Sequence, residues 1–161
     1  ERLGGIDLLV NNASDLGPSP LVHLEALALD EYARLFESNV LAPLALIQRT
    51  LPQLRERGGA IVNVTSDAAV EGYEGWGGYG STKAALEQLS NVLAAEEPGL
   101  RVWWLDPGDM RTEMHQAAFP GEDISDRALP ESIAPVVLRL VRERPASGRV
   151  RAADLLEGDA R

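Results

Sequence analysis

The chain has 161 residues, of which 45% are hydrophobic, 25% charged and 5% aromatic, and it contains no cysteine. That length suits one domain with one core, and the missing cysteines exclude a disulfide scaffold, a thiolate metal site and a cysteine nucleophile. Fifteen Lys and Arg against twenty-five Asp and Glu give a net charge of −10, which repels phosphate backbones and, without a basic patch, argues against nucleic-acid binding. His23 and His115 are far apart in the chain, so no metal-ligand cluster is expected. The longest apolar stretches, such as 40–47, fall far short of the ~20 residues that span a bilayer. The expectation is a cytoplasmic globular protein with no membrane partner.

In chain order, residues 6–10 read as a short buried strand closed by Asn11-Asn12. Residues 14–29 read as a loop, rich at first in Gly, Pro and Ser. Asp30 reads as an N-cap with Glu31 behind it. Tyr32, Leu35, Phe36, Val40 and Leu44 then recur at helical spacing, predicting a helix to about Arg57. Pro43 and Pro52 should kink or interrupt it, and Gly58-Gly59 should end it. Residues 60–65 carry β-branched Ile61, Val62, Val64 and Thr65 and read as a strand. A Gly-rich loop follows over 67–78, then a helix over 79–97, stopped by Pro98-Gly99. A third strand covers 101–105, with Trp103 and Trp104 filling core. Residues 111–129 look irregular around Pro120-Gly121. Pro130-Glu131 opens a last helix to about Glu143, and 148–152 reads as a final strand. Alternating strands and helices predict a doubly wound α/β fold, parallel strands with helices on both faces. Ligands in such sheets bind outside the carboxyl ends of the strands, here at 11–14, 66–79 and 106–112.

Several motif matches carry little weight. Gly75, Gly77 and Gly80 fit G-x-G-x-x-G, but the fingerprint belongs at the immediate strand-to-helix turn, and Gly75 lies nine residues past Ser66; a flexible loop is the simpler reading. A P-loop and a G-x-S-x-G elbow are both absent. The sequons at Asn12 and Asn63 fall on strands or their ends and are discounted.

The chemistry gathers elsewhere. Tyr79 and Lys83 are four apart at a helix start and share one face. Ser66 lies thirteen residues upstream, at the end of the preceding strand. Strand end and helix start face one crevice, so three polar groups can converge there. An ammonium near a phenol of pKa ~10 favours the phenolate, which tunes the phenol for acid–base work. A serine hydroxyl can donate to an oxygen on which charge develops. Taken alone, Tyr-x-x-x-Lys is common by chance; Ser66 in the right place reverses that.

With these residues on the page, the sequence resembles the short-chain dehydrogenase/reductase family, in its classical branch. Ser66, Tyr79 and Lys83 match the family's Ser, Tyr-x-x-x-Lys signature at the usual spacing. Residues 9–14 (Leu-Val-Asn-Asn-Ala-Ser) resemble its Asn-Asn-Ala-Gly motif, with Ser14 in place of Gly. Asn39 falls where the family has its catalytic Asn, and residues 107–112 resemble its Pro-Gly-x-x-x-Thr motif. The resemblance implies a Rossmann-type domain over 1–161 and hydride transfer between a nicotinamide dinucleotide, NAD or NADP, and a small carbonyl or alcohol substrate. It implies Tyr79 as general acid or base, Lys83 lowering its pKa and holding the nicotinamide ribose, Ser66 positioning the substrate oxygen, and Asn39 holding a water that relays protons. A buried Asn satisfying helix backbone is the plainer role for Asn39. Asn11 and Ala13 would lie against the adenosine, whereas Asn12 would tie strands together. Pro107, Gly108 and Thr112 would flank the nicotinamide, with Met110 touching its carboxamide. Asp67, Tyr73, Trp76, Met114, His115 and Phe119 are candidates to line the substrate pocket, with 111–129 as substrate loop; each could equally be packing.

The family's first strand and its Gly-rich pyrophosphate turn have no counterpart, so the chain looks like the C-terminal portion of a longer enzyme. An isolated chain would then expose the edge of the 6–10 strand and bind cofactor weakly. The two long helices carry apolar residues on more than one face (Leu44, Leu46, Ile47; Leu86, Leu89, Leu93), and the family commonly assembles through them, which implies a homodimer or homotetramer. Two other readings stand beside this one: a catalytically inactive dinucleotide-binding or regulatory protein on the same fold, and a lyase or epimerase of the family's extended branch.

Overall fold

The computed structural model describes residues 4–157; the opening Glu1-Arg2-Leu3 and residues 158–161 lie outside the described residues. Four strands, β1 (Leu8–Asn11), β2 (Ala60–Val64), β3 (Arg101–Asp106) and β4 (Gly148–Arg151), form one sheet in the order β1-β2-β3-β4. Every pair is parallel; Val62 stands opposite Val10 and Trp103, and Trp103 opposite Gly148. The helices are α1 (Leu29–Phe36), α2 (Ala42–Arg57), α3 (Gly77–Glu96), α4 (Glu113–Ala118), α5 (Ala134–Glu143) and α6 (Ala152–Glu157).

Strand alternation divides the core. Ala60, Val62, Trp103 and Leu105 pack on one face against Val136 and Leu140 of α5 and Ala152 of α6. Ile61 and Val102 point the other way, onto Ile47 and Leu54 of α2 and Leu93 of α3. Helices therefore cover both faces, as the strand–helix alternation requires. Fully burying a side chain such as Val62, Ile61 or Leu105 contributes about 1.5–3 kcal/mol. Trp103 is fully buried and donates its indole N–H to the Pro145 carbonyl at 3.3 Å. Among the described residues β1 is hydrogen-bonded to a neighbour on one side only, and its Val10 is 42% exposed. No helix among them is long and apolar enough to cross a membrane.

The structure corrects several element boundaries. Ala28, not Asp30, is the N-cap of α1, without a side-chain bond; Asp30 sits in the first turn, where its charge favours the positive helix end. The predicted helix runs on unbroken in helical backbone but loosens into a π turn at Glu37–Leu41 between α1 and α2. Pro43 stands at the start of α2, where a missing N–H costs least. Pro52 lies within α2 without ending it, and Gly58 closes that helix in the left-handed conformation, at φ 58°. The 67–78 loop is shorter than expected: a 3-10 turn occupies Asp67–Ala69, and α3 starts at Gly77, so the second half of the G-x-G-x-x-G match is helix. The region 111–129 is not wholly irregular, because Thr112 caps α4 by accepting from the His115 amide at 3.1 Å. Helix α6, directly after β4, had no sequence signal strong enough to separate it from a tail.

Candidate active site

The segments leaving the carboxyl ends of β1, β2 and β3 enclose a cavity of about 700 Å³, within the range of small-molecule sites. Ser66 follows β2 and reaches it in extended backbone, at φ −158°. Tyr79 and Lys83 enter from the first turns of α3, and all three side chains line the same space. Helix α3 comes close because Gly80 permits it: a Cβ there would stand 2.5 Å from the Ala68 carbonyl oxygen, nearer than atoms can approach. The glycine after the tyrosine thus sets the separation between the helix and the turn after Ser66.

Tyr79 and Lys83 are both buried. Burial pushes the Tyr79 phenol up to about 12; the hydroxyls of Ser66 and Ser14 pull against this, and the Asp67 and Asp106 carboxylates reinforce it. Burial also pulls the Lys83 ammonium down to about 8. The groups that pull the phenol down are the two serine hydroxyls. Lys83 Nζ donates to the Val64 carbonyl at 2.9 Å and lies 5.4 Å from the centroid of the Tyr79 ring. It is a neighbour of the ring face rather than a partner of the phenol oxygen, and desolvation of the phenolate outweighs it. At neutral pH the phenol therefore carries its proton.

Asn39 stands apart from the cavity lining. It sits 1% exposed on the π turn. Its amide donates to the Asp15 carbonyl at 2.8 Å and to Thr82 Oγ1 at 2.9 Å. Its Oδ1 accepts from the Asp15 amide at 2.7 Å and from Ser14 Oγ at 3.1 Å. All four uses of the side chain are taken, so the side chain has no donor or acceptor left for a relay water. It holds the loop after β1 against α3, and the backbone it satisfies belongs to that loop, not to its own helix.

The assignments of the two neighbouring asparagines are exchanged. Asn11 is buried and donates to Asn63 Oδ1 at 2.7 Å, and Asn63 donates on to Ser90 Oγ at 2.7 Å; it is Asn11 that ties β1, β2 and α3 together, although its own Oδ1 is buried without a partner. Asn12 is exposed and lines the cavity with Ala13 and Ser14. The reason is strand parity, since successive side chains leave on opposite faces.

Of the remaining predicted residues, Asp67, Tyr73, Trp76, Pro107, Gly108, Met110, Thr112, Met114, His115 and Phe119 all line the cavity. Trp76 lies edge-on to Tyr79 at 5.7 Å and packs on Phe119 at 6.0 Å. The segment read as a substrate loop, 111–129, is closed at its base: Met110 bridges to Ala128, and the Arg111 amide donates to the Ala128 carbonyl at 2.8 Å.

Sequence reasoning missed a charged group beneath the site. Arg149 of β4 donates to Glu87 Oε1 of α3 at 2.9 Å, to Asp106 Oδ2 at 3.1 Å and to the Ser66 carbonyl at 3.2 Å. Thr65 Oγ1 donates to the same Glu87 oxygen at 2.8 Å, and Asp106 Oδ1 accepts from the Gly108 amide at 3.0 Å. One guanidinium thus links the ends of β2, β3 and β4 and the Pro107-Gly108 turn. The pairing joins residues dozens of positions apart, and only the alternation of charge along apolar strands hinted at it. Ser14, which was named only as a departure from a motif, also belongs to the site as the hydroxyl between Asn39 and the cavity.

The family described as short chain dehydrogenase matches residues 1–123. Sepiapterin reductase of Xenopus laevis is 33% identical over 164 aligned positions, covering 95% of this chain and 59% of that protein. A short chain dehydrogenase from Shigella flexneri, solved in complex with NADP, superposes with a TM-score of 0.86 at 30% identity, covering 92% of this chain and 64% of that one. An alcohol dehydrogenase from the archaeon Thermococcus sibiricus, complexed with 5-hydroxy-NADP, gives 0.80 at 29% identity, with 93% and 63% covered. The chain thus spans less than two thirds of these relatives.

Proposed function

The chain belongs to the short-chain dehydrogenase family, and on that premise we propose that it carries the catalytic residues of an oxidoreductase that uses NAD or NADP to interconvert a small carbonyl compound and its alcohol. The observation that carries this reading is the convergence of Ser66, Tyr79 and Lys83 on one cavity at the carboxyl edge of a parallel sheet. The residues present fit a nicotinamide dinucleotide: an extended cleft, a buried ammonium, and the Ala13–Ser14 and Pro107–Gly108 backbone along its wall. Two neighbours were solved with NADP or an NADP derivative, which favours the phosphorylated form.

A bound nicotinamide supplies or takes up the hydride at the substrate carbon. The chain's own residues handle the proton and the orientation. Tyr79, protonated at neutral pH, gives its phenolic proton to the carbonyl oxygen in reduction and takes the alcohol proton in oxidation. Ser66 holds that oxygen by a hydrogen bond. Lys83, cationic below about pH 8, offers N–H donors to a ribose hydroxyl and supports the phenolate once the proton has left. Asn39 fixes the floor of the site through Asp15 and Thr82. All four side chains are present, so nothing favours the inactive reading. Of the apolar residues read on α2 and α3, Ile47, Leu86 and Leu93 are buried in the chain's own core, whereas Leu46, joined by Val92, stays exposed, at 49% and 44%; on these we assign the two helices to a homo-oligomer contact.

The test is Tyr79→Phe in the full chain. Turnover should fall by about 10²–10⁴-fold, the usual contribution of a positioned acid or base, while NADPH binding followed by fluorescence persists. Undiminished turnover removes Tyr79 from the chemistry.

A further inference from the structure

Asp67 has an unusual position for a carboxylate. It follows the proposed oxygen-holding Ser66 directly and lines the same cavity. Its Oδ1 accepts from Ser66 Oγ at 2.9 Å and from the Ala68 amide at 2.8 Å, and its Oδ2 accepts from the Tyr73 hydroxyl at 2.9 Å. These partners are two hydroxyls and one amide; none is a cation. The contrast with Asp106 is direct, since that carboxylate is paired with Arg149. A carboxylate offers about four acceptor positions, so Asp67 has one left, on the side of Tyr73.

The consequence for Ser66 is chemical. Its hydroxyl donates to Asp67 Oδ1, its oxygen accepts from the Ala68 amide at 3.1 Å, and the Tyr79 phenol lies within hydrogen-bonding reach of it. A hydroxyl donating to a carboxylate is held by a charge-assisted bond and is not donating to a substrate oxygen. A plain ketone must break that bond without replacing it. A substrate that brings its own O–H or N–H beside its carbonyl can replace it: the new donor takes the Asp67 oxygen, and Ser66 turns its proton to the carbonyl. The 2.9 Å between Ser66 Oγ and Asp67 Oδ1 places the two interacting groups side by side, as on adjacent carbons. A carboxylate at that adjacent carbon would instead meet the Asp67 charge. The Trp76, Met114 and Phe119 wall beyond suits an aromatic or aliphatic body.

We infer that the substrates are carbonyl compounds carrying a hydroxyl or amino group on the carbon next to the carbonyl, and that Asp67 is the residue that selects them against plain ketones and α-keto acids. This rests on the carbonyl-reductase reading given above. The experiment measures kcat/KM with NADPH for α-hydroxyacetophenone, acetophenone and phenylglyoxylate in the full chain and in its Asp67→Asn and Asp67→Ala variants. The hydroxyketone should exceed acetophenone by about three- to tenfold, because a part-buried acceptor left without a donor discriminates against the ketone, and phenylglyoxylate should be the poorest. In both variants the ratio should collapse towards one, and acetophenone should improve as Ser66 is released. Equal use of the two ketones by the parent protein, or a ratio that survives both substitutions, overturns the assignment of Asp67 while leaving carbonyl reduction standing. No turnover of any of the three, with NADPH shown to bind, overturns the underlying function and this inference with it. A variant that fails to melt cooperatively is set aside in favour of the other.

Discussion

The two ends of the sheet treat charge in opposite ways. At the amino ends of the strands the polar groups reach water: Arg57 pairs with Asp7 at 3.0 Å, Arg55 with the largely covered Glu97 at 2.9 Å, and Arg144 reaches the Gly58 carbonyl at 2.6 Å, with the arginine exposed in the first two pairs. At the carboxyl ends several are withdrawn from water, beside exposed ones such as Asn12 and Tyr73. Asp106 is 6% exposed, Lys83 2%, and the Asn11–Asn63–Ser90 chain lies inside. Exposed pairs gain little, because water screens them. Buried ones are costly to form and costly to break. A protein keeps polar groups dry where it uses them, and the cavity lies at the dry end.

Three substitutions sharpen this contrast. The largest effect is expected at Arg149. Arg149→Met leaves Asp106 and Glu87 facing each other without the cation that joins them; since Arg149 is itself partly exposed, a loss of about 2–4 kcal/mol is expected in chemical denaturation. The Ser66 carbonyl loses its donor in the same variant, so kcat should fall more than KM rises. Unaltered stability would show that the carboxyl end is no drier than the amino end.

Next is Lys83. Its folded value of about 8 lies below the unfolded lysine value, so the folded state binds its proton less readily than the unfolded state. The burial cost is therefore full below about pH 8 and disappears as pH rises to the unfolded value. Lys83→Met should be more stable than the parent at pH 7 by about 2–3 kcal/mol, with the gap closing by about pH 10. The window must stop there, because Tyr79, raised to about 12, then loses stability in the opposite sense as the unfolded phenol ionises first. A gap that persists at pH 10 would mean that packing, not charge, sets it. The smallest effect belongs to Arg57→Ala at the wet end: a shift in melting midpoint below that of either substitution above, shrinking further in high salt.

The strands were readable because hydrophobic parity and β-branching are local signals. Ile61, Val62 and Val102 announce a buried strand whatever they pair with. The Ser66, Tyr79 and Lys83 set was readable because one strand–helix unit carries all three, so sequence spacing translates directly into distance. The boundary differences have mainly non-local causes. The π turn at Glu37–Leu41 depends on how Asn39 meets Asp15 and Thr82, which are contacts across the chain that no periodicity encodes. The exchange of Asn11 and Asn12 shows the same limit on a smaller scale: a one-residue difference in strand parity decides which side chain is buried.

By itself the sequence determined the order of elements, the parallel sheet and the chemical identity of the reacting groups, because these follow from residue type and short-range spacing. Only the tertiary structure decided the protonation environment of those groups and the partners of Arg149, Asn39 and Asp67. The reason is that desolvation and hydrogen bonding depend on what surrounds an atom in space. The neighbours that raise Tyr79, lower Lys83 and engage Ser66 are brought together by packing across β1, β2, β3 and α3.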